Sequence, residues 1–317
     1  MVLGTRGSNL ALIQADKVRR LLLASFPDLQ IPITIIKTEG DIDHASLLSS
    51  FGGRGAFVRS IEHAILRHEI DAAVHSLKDL PSRLPEGLCL GAAPEREDPR
   101  DALISREGLH IEELPRGTVI ATGSDRRRVQ IRRLRPDITF TGIRGNIETR
   151  LKKIDSGEVD VLVLASAGLH RLGLGQRITQ YLDPEIVLPA PCQGALGVEC
   201  RNDDDMTRSL LATIDDSNIR TCVDTERAFI ERLGMGCHAP IGCLARIEQE
   251  AVVIDSFVWY GVKKQEAGKN GKRQQTDENE NAYSRTVRTS RNTALSAARE
   301  LADWFRSRID TNKLVER

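Results

Sequence analysis

The sequence lacks an excess of charge of either sign and an apolar run long enough to cross a membrane. Lys and Arg number 45, as do Asp and Glu, so the formal net charge at pH 7 is zero. Such a chain is not expected to bind nucleic acid through its overall field. No stretch reaches the roughly 20 apolar residues that span a bilayer, and residues 1–6 do not resemble the start of a secretion signal. We therefore expect a cytoplasmic protein with no membrane or nucleic-acid partner.

The cysteines lack the spacing of a metal site or a redox motif. The sequence contains Cys89, Cys192, Cys200, Cys222, Cys237 and Cys243. No pair has C-x-x-C spacing, so neither a zinc ribbon nor a thioredoxin-like motif is indicated, and we expect no bound metal. In a reducing compartment all of these residues would be free thiols.

Strand and helix patterns alternate through the first two thirds of the chain. Strands are predicted at 2–5, 31–37 and 71–75, and helices at 58–68 and from the capping residue Ser8 to residue 26. A second series of strands is predicted at 119–122, 138–141 and 159–165. This alternation favours α/β domains with largely parallel sheets.

We expect two α/β domains joined by two crossovers, followed by a small α+β domain. A charged, proline-containing segment at 94–101 and a Pro-Ala-Pro break at 189–191 mark the crossovers. Residues 195–199 predict a strand that returns to the first domain. The last third predicts a helix, two strands around a polar loop at 263–281, and a final amphipathic helix. The expected domains are 1–94 with 196–214, 95–195, and 215–317. A cleft between two α/β domains is the expected place for a small ligand.

Arginines are concentrated at the starts of two predicted helices. Ser124 would cap a helix whose first turn contains Arg126 and Arg127, where the helix dipole disfavours cations. A bound anion would reverse that penalty. Arg144 precedes a second predicted helix, with Arg150 one turn into it. The alternative for any one of these arginines is a solvated basic face, but two such junctions favour a polyanion site.

Two other positions are candidates for a chemical role: the Lys78-Asp79 pair and Cys237. Lys78 and Asp79 follow a predicted strand, at the end where ligands bind in open α/β sheets. Asp79 could act as an acid, a base or a counter-ion, and the alternative is a structural salt bridge. Cys237 lies in a glycine-containing loop where a thiol can be approached closely, and the alternative is an inert buried cysteine.

Several segments along the chain, taken in order, resemble one enzyme family. They are Thr5-Arg6-Gly7-Ser8, Gly52-Gly53-Arg54-Gly55-Ala56-Phe57-Val58, Ala73-Val74-His75-Ser76-Leu77-Lys78-Asp79-Leu80-Pro81, Glu95-Arg96-Glu97-Asp98-Pro99-Arg100-Asp101-Ala102, Ser124-Asp125-Arg126-Arg127, Arg144-Gly145-Asn146, Leu164-Ala165-Ser166-Ala167-Gly168-Leu169, Gln193-Gly194-Ala195 and Gly236-Cys237-His238-Ala239-Pro240-Ile241-Gly242. Together they resemble the porphobilinogen deaminase (hydroxymethylbilane synthase) family over residues 5–242.

The resemblance implies a monomeric transferase of tetrapyrrole (haem) biosynthesis. Its first two domains would be arranged like those of a periplasmic binding protein. Four porphobilinogen molecules would be joined head to tail, each losing ammonia, and hydrolysis would release hydroxymethylbilane. A dipyrromethane cofactor, made of two substrate units, would be attached to Cys237 by a thioether.

The resemblance also implies roles for individual residues. Asp79 matches the catalytic carboxylate of the family, which would stabilise the positive charge that loss of ammonia leaves on the pyrroles. Each porphobilinogen carries an acetate and a propionate group, so the growing chain is a polyanion. The residues implied to contact the cofactor are Ser8, Lys78, Ser124, Arg126, Arg127 and Arg144. Those implied to contact the substrate are Arg6, Gln14, Arg150, Arg171 and Gln193.

The sequence departs from the family pattern at a few positions. Asp125 stands where leucine is usual, and its charge would weaken anion binding nearby. Ser50 and Arg54 stand where lysine is frequent, and Met235 replaces a frequent glycine. None of these differences removes the loop cysteine or the catalytic carboxylate.

Two other functions are compatible with parts of the sequence. A non-catalytic, two-domain protein that binds small anions would explain the arginines and the crossovers, but not the third domain with its cysteine loop. An enzyme that forms a Schiff base through Lys78 is the second alternative. Trapping with borohydride in the presence of substrate would distinguish that enzyme from one that uses a thioether.

Overall fold

The computed structural model describes residues 1–36, 55–235, 239–260 and 282–309. Cys237, the glycine-rich loop with Ser50 and Arg54, and the polar run 263–281 lie outside the described residues. The chain divides into two compact units. Unit 1 comprises Met1–Pro99, Ala165–Gln176 and Cys192–Val223, and unit 2 comprises Arg100–Leu164, Arg177–Pro191 and Asp224–Arg317. The division into three domains stays a prediction.

The secondary structure alternates as the sequence predicts. The strands are β1 Leu3–Thr5, β2 Ile33–Ile35, β3 Ala72–Ser76, β4 Leu88–Ala92, β5 Asp101–Ser105, β6 Val119–Ala121, β7 Thr139–Thr141, β8 Val161–Ala165, β9 Gln180–Leu182, β10 Leu196–Arg201, β11 Ile241–Glu248, β12 Ala251–Trp259 and β13 Ala282–Ser290. The helices are α1 Asn9–Ser25, α2 Gly55–Leu66, α3 Asp125–Leu134, α4 Ile147–Asp155, α5 Ser166–Arg171, α6 Asp205–Ala212, α7 Ser217–Leu233 and α8 Ala294–Arg306.

Unit 1 is built on a five-stranded mixed sheet in the order β2-β1-β3-β10-β4. β1 is parallel to β2 and β3, whereas β10 is antiparallel to both of its neighbours. Val18 of α1 packs with Val74 on one face of the sheet, and Ile65 of α2 packs with Ala73 on the other. Both faces of β3 are therefore buried, because successive strand residues point to opposite faces.

Unit 2 contains a second five-stranded sheet in the order β7-β6-β8-β5-β9. β6 is parallel to β7 and β8, and β5 is antiparallel to β9. Its core includes Leu103, Ile120, Ile131 and Val163, all of which are buried. The apolar run that follows Asp101 thus becomes a buried strand of this sheet.

Unit 2 also contains the antiparallel sheet β11-β12-β13. Phe229 of α7 and Phe305 of α8 meet edge to face, with ring centroids 5.7 Å apart. The backbone N–H of Cys243 donates to the carbonyl of Pro189 over 3.0 Å, and Leu188 packs against Phe257. This sheet is therefore tied to the segment that precedes Cys192.

The predicted α/β fold class, with two such sheets and a smaller third one, is confirmed. The predicted return strand is confirmed as β10, which lies between β3 and β4. The sheets are more mixed than predicted, because β10 returns antiparallel into unit 1. The sequence patterns missed the strands β4, β5, β9 and β11 and the helices α5 and α6. Most of these elements are short, so they give little periodicity.

Candidate functional site

The carboxyl ends of β1 and β3 lie side by side at one edge of the unit 1 sheet. The two strands are parallel, with Leu3 opposite Ala72 and Gly4 opposite Ala73. β1 continues into the segment that holds Arg6 and Ser8, and β3 continues into a 3-10 turn, Leu77–Asp79. The residues that sequence analysis selected after these two strands therefore share one edge of the sheet.

Hydrogen bonds within unit 1 hold the residues around this edge. Gln14 of α1 donates to the hydroxyl of Ser76 over 2.8 Å. The ammonium of Lys78 lies 3.4 Å from Oε1 of Gln193, whose Nε2 donates to the carbonyl of Pro99 over 2.7 Å. Both glutamines are buried. Gln14, Lys78 and Gln193 are thus fixed around the end of β3.

Asp79 differs from its neighbours because its side chain is exposed. It makes no hydrogen bond and no ion pair with any residue that the structure describes. The salt bridge that was the structural alternative for the Lys78-Asp79 pair is not formed among these residues. The carboxylate is therefore accessible to a ligand, while Lys78 beside it is half-buried.

Ser8 has a structural role at the same edge. Its side chain accepts a hydrogen bond from the backbone N–H of Ala11 over 3.3 Å and so caps α1. The cap was predicted from the sequence, and it is the kind of contact that fixes the start of a helix. The Ser8 hydroxyl keeps its proton free to donate, because capping uses its oxygen only as an acceptor.

Arg171 is held inside unit 1 by protein groups. Its Nε and Nη2 donate to Oε1 of Glu95 over 3.3 and 2.9 Å, and Nη2 also donates to the carbonyl of Gly194 over 2.7 Å. Lys17 forms a second ion pair with Glu95. Gly194 has φ +86°, and an added Cβ would lie 2.2 Å from the carbonyl oxygen of Glu97, so no other residue fits there. Arg171 thus supports the backbone next to Gln193.

A buried cluster of ionisable side chains lies near the base of the turn that carries Lys78 and Asp79. Nε2 of His75 lies 3.2 Å from Oε2 of Glu199 on β10, and both side chains are buried. Glu62 of α2 is also buried. Burial raises the pKa of Glu62 to about 7, and the Glu199 carboxylate adds to this rise, while His75 and Arg59 oppose it.

Unit 2 brings the two predicted arginine-rich junctions together. β6 and β7 are parallel neighbours, so α3 and α4 begin at the same edge of the sheet. The loops that follow these strands approach closely, because a Cβ added to Gly123 would lie 3.3 Å from the carbonyl oxygen of Ile143. Asn146 caps α4 through the N–H of Thr149. Ser124 is the N-cap of α3, but its side chain makes no capping hydrogen bond.

Arg144 and Arg150 differ in whether their side chains have hydrogen-bond partners. Arg144 is exposed and pairs with none of the residues that the structure describes. Nε of Arg150 donates to the carbonyl of Gly145 over 2.8 Å, which fixes that side chain along the start of α4. Two neighbouring helix starts therefore hold the Arg144 guanidinium and the Ser124 hydroxyl, neither of which has a side-chain partner among the described residues.

Arg126 and Arg127 are buried, and both pair with the carboxylate of Asp101. Nη1 of Arg126 lies 2.7 Å from Oδ2 of Asp101. Nε and Nη2 of Arg127 donate to Oδ1 of Asp101 over 3.0 and 2.7 Å, and its Nη1 donates to the carbonyl of Val163 over 3.0 Å. The three charged groups together carry one net positive charge at the first turn of α3.

Asp101 is the residue of this site that sequence analysis missed. Burial by itself would raise its pKa, but the charges and hydrogen bonds of Arg126 and Arg127 outweigh burial and hold the pKa of Asp101 well below its usual range. Asp101 is therefore an anion that offsets the unfavourable placement of two cations at a helix start. The signal in the sequence is an aspartate immediately before an apolar run, Ala102-Leu103-Ile104.

Comparison with known proteins now identifies the family. The family model for the porphobilinogen deaminase, dipyromethane cofactor binding domain matches residues 1–209. The model for the porphobilinogen deaminase, C-terminal domain matches residues 220–289. The chain belongs to the porphobilinogen deaminase family. Cys237 falls within the second match, and the other residues selected for the site fall within the first.

Curated relatives agree over most of the chain. The porphobilinogen deaminase of Syntrophobacter fumaroxidans is 46% identical over 256 residues, covering 81% of this chain and 83% of the relative. That of Desulforudis audaxviator is 47% identical over 258 residues, covering 81% and 84%.

Solved structures show a more distant likeness. An arginine-specific periplasmic binding protein of Salmonella typhimurium matches with 12% identity and a TM-score of 0.39, covering 68% of this chain and 91% of that one. A YaeC-family lipoprotein of Enterococcus faecalis matches with 14% identity and a TM-score of 0.41, covering 69% and 92%. Neither comparison contributes to the functional assignment.

The donor groups fit the dipyrromethane cofactor of the family. Its two pyrroles carry acetate and propionate groups, so the residues that hold it must be cations or hydrogen-bond donors. Unit 1 offers Lys78 and the Ser8 hydroxyl, and unit 2 offers Arg144, the Ser124 hydroxyl and the positive first turn of α3. Among the described residues, no cluster of His, Cys, Asp and Glu could hold a metal ion, and no helix is long and apolar enough to cross a membrane.

Replacing Asp101 tests whether its carboxylate holds Arg126 and Arg127. Asp101→Asn would remove a negative charge that pairs with two buried guanidinium groups, and we expect the free energy of unfolding to fall by about 3–5 kcal/mol. Asp125→Asn is the control, because Asp125 is exposed and its only ion pair among the described residues is with Arg128. We expect this substitution to cost less than about 1 kcal/mol. Urea denaturation measures both values. Equal losses in the two variants would contradict the role of Asp101.

The buried cluster predicts a pH dependence of stability. The pKa of Glu62 rises on folding from an ordinary value of 4.5 to about 7, so its contribution to stability is complete below about pH 4.5 and is lost as the pH rises through about 7. Glu62→Gln removes this titration. We expect the stability of the variant, relative to the unchanged protein, to increase as the pH rises from about 5 to about 8, a range chosen to span the two pKa values. Urea denaturation at several pH values in this range measures the difference. Parallel stability curves would show that Glu62 does not titrate in this way.

Proposed function

We propose that the chain joins four porphobilinogen molecules head to tail, with release of ammonia, to give hydroxymethylbilane. In this proposal a dipyrromethane is attached to Cys237 by a thioether, and Asp79 is the catalytic carboxylate. The chain is thus a transferase of tetrapyrrole biosynthesis. The observation that carries the assignment of Asp79 is an exposed carboxylate without a partner among the described residues, beside Lys78 at the carboxyl end of a buried strand.

Asp79 is suited to stabilise positive charge on a pyrrole substrate. When ammonia leaves, the pyrrole ring becomes electron-poor and its N–H becomes a stronger donor. An ionised carboxylate can accept that hydrogen bond and hold a proton between successive additions. Because the neighbouring groups of unit 1 are already hydrogen-bonded, Asp79 needs no rearrangement of its surroundings to do this.

The cations and hydroxyl groups are suited to bind carboxylates. The dipyrromethane supplies the pyrrole end to which the first substrate is joined. Lys78, Ser8, Ser124 and Arg144 would hold its acetate and propionate groups by charge-assisted hydrogen bonds. Arg126 and Arg127 would assist through the net positive charge that they and Asp101 place at the start of α3, where the backbone N–H groups also favour an anion.

The remaining basic and amide residues would serve the growing chain. Arg6 and Gln14 lie at or beside the edge that carries Asp79, and Gln193 is hydrogen-bonded to Lys78. Arg150 lies along the start of α4. Arg171 is already paired with Glu95, so its contribution would be to hold the backbone at Gly194 or to exchange Glu95 for a substrate carboxylate.

We also propose that the protein is a cytoplasmic monomer. The described cysteines are free thiols, which is the usual state in a reducing compartment. The large apolar side chains that are exposed in the described part of the chain lie singly on separate elements, as on ordinary monomer surfaces. Size-exclusion chromatography with light scattering measures the oligomeric state.

Asp79→Asn tests the catalytic assignment. Removing a charge that is preorganised for the transition state should lower kcat by on the order of 100-fold or more. KM and the free energy of unfolding should change little, because the Asp79 side chain makes no hydrogen bond or ion pair with a described residue. Asp28→Asn, which alters an exposed aspartate elsewhere in unit 1, serves as the matched control. Turnover of porphobilinogen near the control's value would reject Asp79 as the catalytic residue.

A further inference from the structure

Two cysteines of unit 1 face each other across neighbouring strands. Cys89 on β4 lies directly opposite Cys200 on β10 in an antiparallel pair, and their sulfur atoms are 3.7 Å apart. Directly opposed residues of antiparallel strands have Cα atoms about 4.5–5.5 Å apart, which lies within the range that a disulfide spans. The backbone therefore already holds the two thiols close to bonding geometry.

The surroundings give the two thiols different properties. Cys200 is fully buried, whereas Cys89 is half-buried and thus partly open to a small reagent. A Cβ added at Gly91 would lie 2.9 Å from the sulfur of Cys200. The absence of a side chain at Gly91 therefore leaves room for that sulfur beside β4.

The charges near the pair favour Cys89 as the attacking sulfur. The hydrogen bond from the Cys200 thiol lowers the pKa of Cys89 to about 7, and Arg208 and Arg220 act in the same direction, against burial and the charge of Glu199. The same contact with Cys89, together with burial, raises the pKa of Cys200. Because the thiolate is the nucleophile, Cys89 reacts first near neutral pH.

We propose that Cys89 and Cys200 are a redox-active pair that forms an intramolecular disulfide with low-molecular-weight disulfides such as oxidised glutathione. This site is independent of the proposed catalytic function. It also departs from the expectation that every cysteine remains a free thiol, because it makes the state of this pair depend on the redox potential around the protein.

The exchange proceeds in two balanced steps. The Cys89 thiolate attacks one sulfur of the small disulfide, forming a mixed disulfide and releasing one thiolate, which takes up the proton that Cys89 lost. The sulfur of Cys200 then attacks the sulfur of Cys89 and displaces the second small thiolate, which takes the proton of Cys200. Two protein thiols are oxidised and one small disulfide is reduced to two thiols.

The disulfide would join the edge strand β4 to β10 across 111 residues of sequence. Closing a long loop restricts the unfolded chain and so favours the folded state. We expect the oxidised protein to unfold at a temperature several degrees higher than the reduced protein, and a reducing agent to reverse the shift.

Peptide mass mapping of the complete, cofactor-loaded protein tests the proposal. After equilibration with oxidised glutathione under native conditions and alkylation of the remaining thiols, the expected product is a peptide pair linked through Cys89 and Cys200. Cys222→Ser, which alters another buried cysteine, should leave this link intact. A link that forms only in denaturant, or no link at all, would overturn the proposal without bearing on the catalytic function.

Single variants test the order of the two steps. Cys200→Ser should stop at the mixed disulfide, with one glutathione attached to Cys89. Cys89→Ser should take up no glutathione at Cys200, because that sulfur is buried. A mixed disulfide on Cys200 in the second variant would contradict the assignment of Cys89 as the attacking residue. Even if a variant folds poorly, peptide mapping of the unchanged protein still decides whether the disulfide between Cys89 and Cys200 forms.

Discussion

The charge at the start of α3 in unit 2 depends on the ion triad of Asp101 with Arg126 and Arg127. Arginines in the first turn of a helix oppose the helix dipole, and buried charges are unfavourable without partners. The Asp101 carboxylate, at the start of β5, offsets both the dipole repulsion and the cost of burial, because it lies 2.7 Å from each guanidinium. Since one carboxylate serves two cations, a positive charge remains beside the start of α3. The anion binding that we propose for this edge would therefore depend on a carboxylate of the protein itself, that of Asp101.

Unit 1 places a hydrogen-bonded group of side chains next to a carboxylate, Asp79, that pairs with none of the described residues. Gln14, Lys78 and Gln193 are joined by hydrogen bonds around the end of β3, and Arg171 fixes the adjacent backbone. Asp79 is left exposed at the tip of the same turn. A carboxylate whose surroundings need not rearrange can stabilise developing charge. This is the physical basis of the catalytic role that we propose for Asp79 and of the supporting role that we propose for its neighbours.

The sequence alone predicted the elements with clear local signals. Alternating strands and helices indicated the α/β class, and Ser8 and Ser124 indicated helix starts, since capping depends on a few adjacent residues. The partners of Arg126, Arg127 and Arg171 could not be predicted in this way. Asp101 lies 26 residues from Arg127, and Glu95 lies 76 residues from Arg171. These pairs arise from sheet order and strand register, which local periodicity does not determine. The pairing of β10 with β4 likewise brings together cysteines that are far apart in sequence.

The intact mass of the purified native protein, measured before any substrate is added, tests the functional account most directly. The account predicts the mass of the chain plus two porphobilinogen units less two molecules of ammonia, with the added mass on the peptide that contains Cys237. One ammonia is lost when the thioether forms and the other when the two pyrroles are joined. The mass of the bare chain, or the same increment on another cysteine, would contradict the account.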